Sequence, residues 1–176
     1  MNQSSREYAM ALFSLAAESG AEKVYLEGLD QVGAVFRACP EYLDLLETPT
    51  ILKSERKAAL AEAFGEILPE YLLSFLQILT EKNEIRTVFD CIEDYRALYN
   101  EMAGILVAEV ASARVLTDAE KTRLRAALEK RTGKTVRLVC KHDPALIGGM
   151  VVEIDGMRFD SSLRHRISQV KEVMQE

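Results

Sequence analysis

The chain has 176 residues, of which 48% are hydrophobic, 28% charged and 7% aromatic, with a formal net charge of -6. That length buries a core for one domain or two small ones, and 4 Pro and 9 Gly are too few to suggest a disordered chain. The longest apolar stretch, Tyr71 to Leu79, is broken by Ser74 and Gln77 and is far short of the ~20 residues a membrane span needs.

Up to about Gly104 the apolar residues recur at three and four, the period of a helix. Tyr8, Leu12, Leu15 and Ala16 mark a first helix that Gly20 ends; Val24, Leu29, Val32, Val35 and Phe36 mark a second. Pro40 opens a short third helix through Leu46, and Thr48-Pro49-Thr50 closes it. A fourth runs from about Leu52 to Phe64, a fifth from Pro69 through Leu79, and a sixth from about Ile85 to Met102. Short helices with short breaks predict a six-helix bundle over residues 1–104.

The pattern changes after Gly104. Ile105 to Ser112 is β-branched enough for a strand, and Thr117-Asp-Ala-Glu120 is a capping box that opens a helix ending near Arg131. Thr135 to Lys141 alternates as a half-buried strand, and Met150 to Ile154, Asp155-Gly156 and Met157 to Phe159 signal a hairpin with a primed turn. Asp160 or Ser161 caps a last helix carrying Leu163, Ile167, Val170 and Met174 on one stripe. Residues 105–176 therefore predict a small α+β (βαββα) module, and the expected fold class is mainly α. The charge divides at the same place: nine Lys and Arg face 18 Asp and Glu up to Gly104, net -9, and 13 face 10 beyond it, net +3.

Enzyme motifs fail. Gly28 and Gly33 have the spacing of a phosphate-binding loop, but Ala34-Val35 stand where Lys and a hydroxyl residue are required. His142-Asp143 and Glu93-Asp94 lack a nucleophile or cleft partner. Cys39, Cys91 and Cys140 are widely separated, and His142 and His165 sit in no ligand spacing, so neither disulfides nor a metal site nor a cofactor is predicted. The N-terminus has neither the apolar region of a secretory signal nor transit-peptide character, which predicts a cytosolic chain. Two binding readings remain. The basic second module, with Ile147-Gly-Gly-Met-Val151, offers an RNA-binding adaptor, although its glycines are adjacent and not three apart. The first and fifth helices are apolar on more than one side, which fits either a central place in the bundle or a groove for a partner helix.

Tyr8-Ala-Met-Ala-Leu-Phe13, Pro49 with Lys53, Phe75-Leu-Gln-Ile-Leu79 with Glu81-Lys-Asn83, Val110-Ala-Ser-Ala113 and Asp143-Pro-Ala-Leu-Ile-Gly-Gly149 follow one another in a specific order. In that order the sequence resembles the delta subunit of bacterial F-type ATP synthases, the counterpart of the mitochondrial oligomycin-sensitivity-conferring protein, over almost the whole chain. Asn83 departs from the glycine many members carry, and Asp155-Gly156 reverses a common order. The resemblance implies a non-catalytic stator subunit on the cytoplasmic face of the bacterial membrane, bound to it only through the complex and not to nucleic acid. It implies that residues 1–104 hold the N-terminal helix of an alpha subunit in a groove of Tyr8, Ala11, Leu12, Leu15, Leu72, Phe75, Leu76 and Leu79. It further implies that residues 105–176 hold the C-terminal end of the b-subunit stalk, through Leu163, Ile167, Val170 and Met174.

Overall fold

A computed structural model describes residues 3–163, mostly helical with a small sheet in the C-terminal part. The chain divides into two compact units, residues 1–99 and 100–176. In the first unit α1 spans Gln3–Ser19, α2 Glu22–Ala38, α3 Pro40–Glu47, α4 Lys53–Phe64 and α5 Glu70–Glu81, and α6, Val88–Met102, begins there and ends past the boundary at residue 99. The sixth helix starts later than its apolar spacing predicts, because Asn83 turns left-handed at φ 56° and Ile85–Thr87 forms a separate 3₁₀ turn.

One apolar core joins these helices: Leu12 and Ala16 of α1, Leu29, Val32 and Phe36 of α2, Leu60 of α4, Leu72, Leu76 and Leu79 of α5, and Ile92 and Tyr95 of α6. The glycines that resemble a phosphate loop lie inside α2 and serve packing. A Cβ on Gly28 would stand 2.8 Å from the Leu72 side chain, and one on Gly33 2.8 Å from Ile92. The paired carboxylates are also structural. Glu93 pairs with Arg96, while the buried Asp94 accepts a 2.7 Å hydrogen bond from Ser5 and ties α6 to α1. Burial lifts the neighbouring Cys91 thiol to about 12, which leaves it inert at neutral pH.

The second unit is a four-stranded sheet in the order β2-β1-β3-β4, with β1 at Ile105–Ser112, β2 at Thr135–His142, β3 at Met150–Ile154 and β4 at Met157–Asp160. Strand β2 runs parallel to β1, so the chain needs a crossover, and α7 at Asp118–Thr132 provides it. Strands β3 and β4 continue antiparallel through the Asp155-Gly156 turn, where both residues have positive φ as a primed turn requires. The order is βαβββ over the described residues, one strand more than βαββα, because the second arm of the hairpin pairs along its length with β3. Of the expected closing helix only Leu163 is among the described residues, where it is helical; the remainder lies outside them. Ala108, Val110, Leu128, Val136, Val152 and Ile154 form the core of this unit.

Helix α7 opens on the capping box expected from the sequence. Thr117 accepts from the Glu120 amide, and Glu120 accepts from the Thr117 amide at 2.9 Å and from the Arg114 guanidinium. The Arg114 hydrogen bond first, and those from Thr117 next, hold the Glu120 carboxyl at about 2. A carboxylate depressed in this way supports the fold fully above its ordinary value near 4.5 and loses that support as pH falls through about 2. Acid titration followed by amide exchange is expected to loosen the first turn of α7 in that window. Glu120→Gln should abolish the step, and a wild-type step in that variant would refute the assignment.

Candidate functional site

No helix among the described residues is long and apolar enough to cross a membrane, and among them no group of three or more His, Cys, Asp or Glu could hold a metal ion. His142 places Nε2 3.1 Å from the Ala113 carbonyl, and Asp143 accepts from the Ala145 amide, so this pair shapes a turn. What distinguishes the first unit is the face shared by α1 and α5.

Helix α1 uses a narrow stripe, Ser5, Ala9, Leu12 and Ala16, to enter the core. Residues at three and four along its flank, Tyr8, Ala11 and Leu15, fall on a second stripe. Tyr8 is half-buried, Ala11 is exposed and Leu15 is 38% exposed. Phe13, edge-on to Tyr95 at 5.4 Å, anchors α1 to α6 from the other side. Helix α5 repeats the division. Leu72, Leu76 and Leu79 are fully buried, and Phe75 is 6% exposed, whereas Tyr71 at 59% and Ile78 at 44% stand out beside Phe75.

The two flanks meet at Tyr8, whose ring centroid lies 5.7 Å from that of Phe75. Lys82, just past the end of α5, donates a 2.6 Å hydrogen bond to the Tyr8 hydroxyl and lies 5.1 Å over its ring. That hydrogen bond raises the Lys82 pKa above its ordinary value, so the ammonium stays charged beside an apolar strip. Such a surface can receive an amphipathic helix, with aromatic anchors at the centre and a cation at one end.

The structure thus leaves Tyr8, Ala11 and Leu15 on the flank of α1 and places Leu12, Leu72, Phe75, Leu76 and Leu79 in the core, with the Phe75 ring reaching Tyr8 at its edge. Tyr71 and Ile78 extend the surface and are absent from the sequence-derived set. Their signal was present: with Phe75 they fall at four and three along α5. In the second unit, Leu163 is 45% exposed and lies against Gly148, where an added Cβ would meet its side chain at 2.6 Å. Ile167, Val170 and Met174 lie outside the described residues.

Comparison with known proteins bears on the whole chain. The family model for the ATP synthase delta (OSCP) subunit matches residues 5–174. ATP synthase subunit delta of Clostridium kluyveri is 31% identical over 169 residues, covering 96% of this chain and 93% of that protein. The subunit delta of Rhodopseudomonas palustris is 34% identical over 173 residues, covering 98% and 93%. A chain in the cryo-EM structure of the Toxoplasma gondii mitochondrial ATP synthase hexamer superimposes with a TM-score of 0.75 over 99% of both chains, a likeness of fold at 16% identity. With a family match from the first helix to the last few residues and relatives above 30% identity at nearly full length, this chain belongs to the ATP synthase delta (OSCP) subunit family.

Proposed function

We propose that the chain is the non-catalytic stator subunit of a rotary F-type ATP synthase. It joins the catalytic head to the peripheral stalk and resists rotor torque while ATP synthesis is coupled to ion transport. The near-complete match to the delta family carries this reading. In it the first unit receives the N-terminal helix of an alpha subunit on the strip of Tyr8, Ala11, Leu15, Tyr71, Phe75 and Ile78. The second unit holds the C-terminal end of the b subunit, through Leu163 and the stripe of Ile167, Val170 and Met174. The chain is placed at the cytoplasmic face of the bacterial membrane, held there by the complex.

The physical demand on such a part is slow release. A head that must not turn with the rotor needs a joint whose contacts outlast many rotary steps, and that requires buried apolar area in place of chemistry. A specific interface of roughly 1,200 to 2,000 Å² in all is compatible with nanomolar binding, provided a few anchors are well packed. Tyr8 is suited to anchor because it already leans on the buried Phe75 ring and loses little freedom on docking.

Titrating a synthetic peptide of the alpha N-terminal helix into the full-length chain is expected to show saturable binding well below micromolar Kd. A Kd weaker than that would remove the joint from this surface. The RNA-binding alternative has no comparable support. Gly149 has φ 80°, and a Cβ there would stand 2.4 Å from the Ser161 carbonyl oxygen, so the glycine pair serves the bend into β3.

A further inference from the structure

The sheet of the second unit has two edges, and they are not equivalent. Strand β4 is four residues long and carries Arg158, which pairs with Glu153 and Asp160. Strand β2 is eight residues long and, among the described residues, joins the sheet only through β1. Its ladder register follows from two bonds at its ends. The Asp143 amide donates to the Ser112 carbonyl at 2.8 Å, which continues the β1 ladder in phase with Thr135, Arg137, Val139 and Lys141. The Val136 amide donates instead to the Glu129 carboxylate of α7 at 3.1 Å. Alternate residues of a strand aim their backbone groups to opposite sides, so Val136, Leu138, Cys140 and His142 present theirs to the outer edge. Glu129 occupies the Val136 amide. Among the described residues nothing occupies those of Leu138, Cys140 and His142.

An open stretch of this kind is a template for another strand. Its side chains say which strand. On the face away from the core, Arg137 and Lys141 flank Val139, which is 37% exposed, and Lys134 precedes the strand. Lys141 reaches Glu109 at 3.3 Å, while Lys134 and Arg137 have no carboxylate within ion-pair distance among the described residues. On the other face Leu138 is half-buried and Cys140 is exposed, an apolar border that the core leaves partly open. A second copy of the chain would bring like charges together, which disfavours pairing. A segment that alternates acidic with apolar residues would match both faces.

We propose that the outer edge of β2 at residues 138–142 pairs with an extended, acidic segment of a neighbouring subunit. The stator complex would then be held by backbone hydrogen bonds as well as by helix docking. This inference rests on the stator reading for the presence of neighbours, and on the edge geometry for its site.

The test compares amide exchange in the free full-length chain and in ATP synthase purified with the chain in place. The amides of Arg137, Val139 and Lys141 are expected to be slow in both states, and those of Leu138, Cys140 and His142 to slow by about tenfold or more only in the complex, as newly formed hydrogen bonds require. Zero-length carboxyl-to-amine cross-linking should join Lys134 or Lys141 to a neighbour's carboxylate. Cys140→Pro removes one outward N–H and no ladder bond, a change edge strands tolerate. It should leave the free chain folded while reversing the new protection at Leu138 and His142, and Arg137→Glu with Lys141→Glu should do the same. An assembled complex whose outward amides stay fast would overturn the inference and leave the stator reading intact, whereas failure of the chain to assemble at all would overturn that reading. Protection without alternation, or protection already present in a self-associated free chain that Cys140→Pro dissociates, would also overturn it, pointing to a covering helix or to a second copy.

Discussion

Leu76→Asp is expected to unfold the first unit, whereas Leu15→Asp combined with Ile78→Asp is expected to leave it folded and abolish docking of the alpha helix. The contrast comes from burial. Leu76 is 0% exposed in the centre of α5 and belongs to the core that joins the helices of the first unit. Removing such a leucine costs about 2–5 kcal/mol, and an unpaired carboxylate in its place adds several more. The sum approaches the roughly 5–15 kcal/mol that holds a whole domain together. Leu15 and Ile78 are 38% and 44% exposed, and surface changes of that kind stay within about 0.5 kcal/mol. Two carboxylates on the strip would nonetheless have to be desolvated beneath a docked apolar face, a loss of about 2–4 kcal/mol or roughly 30- to 1,000-fold in Kd. Circular dichroism melts and peptide titration of both variants decide the matter. A Leu76→Asp chain with a wild-type melt would show that α5 is packed differently, and unchanged affinity in the double variant would move the partner elsewhere.

That experiment also shows where the sequence is informative. The helix-to-strand change near Gly104 was legible because the apolar period changes there and because capping and turn residues, Thr117 with Glu120 and Asp155 with Gly156, have local geometries that admit few alternatives. The excess of apolar residues on α1 and α5 was legible as well. Its assignment between core and surface was not, since Leu72, Phe75, Leu76 and Ile78 look alike as letters and only the packing of α1, α2 and α4 on α5 decides which are covered. The same limit applies to the glycines of α2. Their spacing suggests a phosphate loop until Leu72 and Ile92 are seen to fill the space where a Cβ would be. The open edge of β2 was beyond sequence reasoning altogether. Strand order is a long-range fact, and the alternation of Thr135 to Lys141 is the same for an edge strand and a central one.

Arg56→Met is expected to destabilise the first unit by about 2–4 kcal/mol, from two lost charge-assisted hydrogen bonds less the relief of desolvation. Arg56 is 2% exposed and has no carboxylate partner among the described residues. Its Nη1 donates at 2.8 Å to the Leu46 carbonyl, in the last turn of α3, and at 2.8 Å to Oδ1 of Asn83, just past α5. A buried cation is thus held by neutral acceptors at the C-terminal ends of two helices, where the aligned peptide dipoles favour positive charge. Its Nε finds no partner among the described residues, which adds to the cost of burial. Asn83 explains why this chain departs from a glycine there: asparagine tolerates the left-handed turn at φ 56° and supplies the oxygen Arg56 requires. Asn83→Gly keeps the turn and removes the acceptor, so it should lose most of the stability that Arg56→Met loses, and the two together should lose little more. Arg56→Lys should rescue only in part, because both bonds leave the single Nη1 nitrogen and a lysine ammonium ends one bond short of that position. Urea denaturation of the wild type, Arg56→Met, Asn83→Gly and the double variant forms the cycle, and additive losses would show that the two residues act independently. Lys82, which holds Tyr8, is the residue before Asn83, so loosening this turn should also weaken docking of the alpha helix by about two- to tenfold, an expected coupling of about 0.4–1.4 kcal/mol. A folded Arg56→Met chain that binds the peptide with wild-type affinity would confine the role of Arg56 to stability.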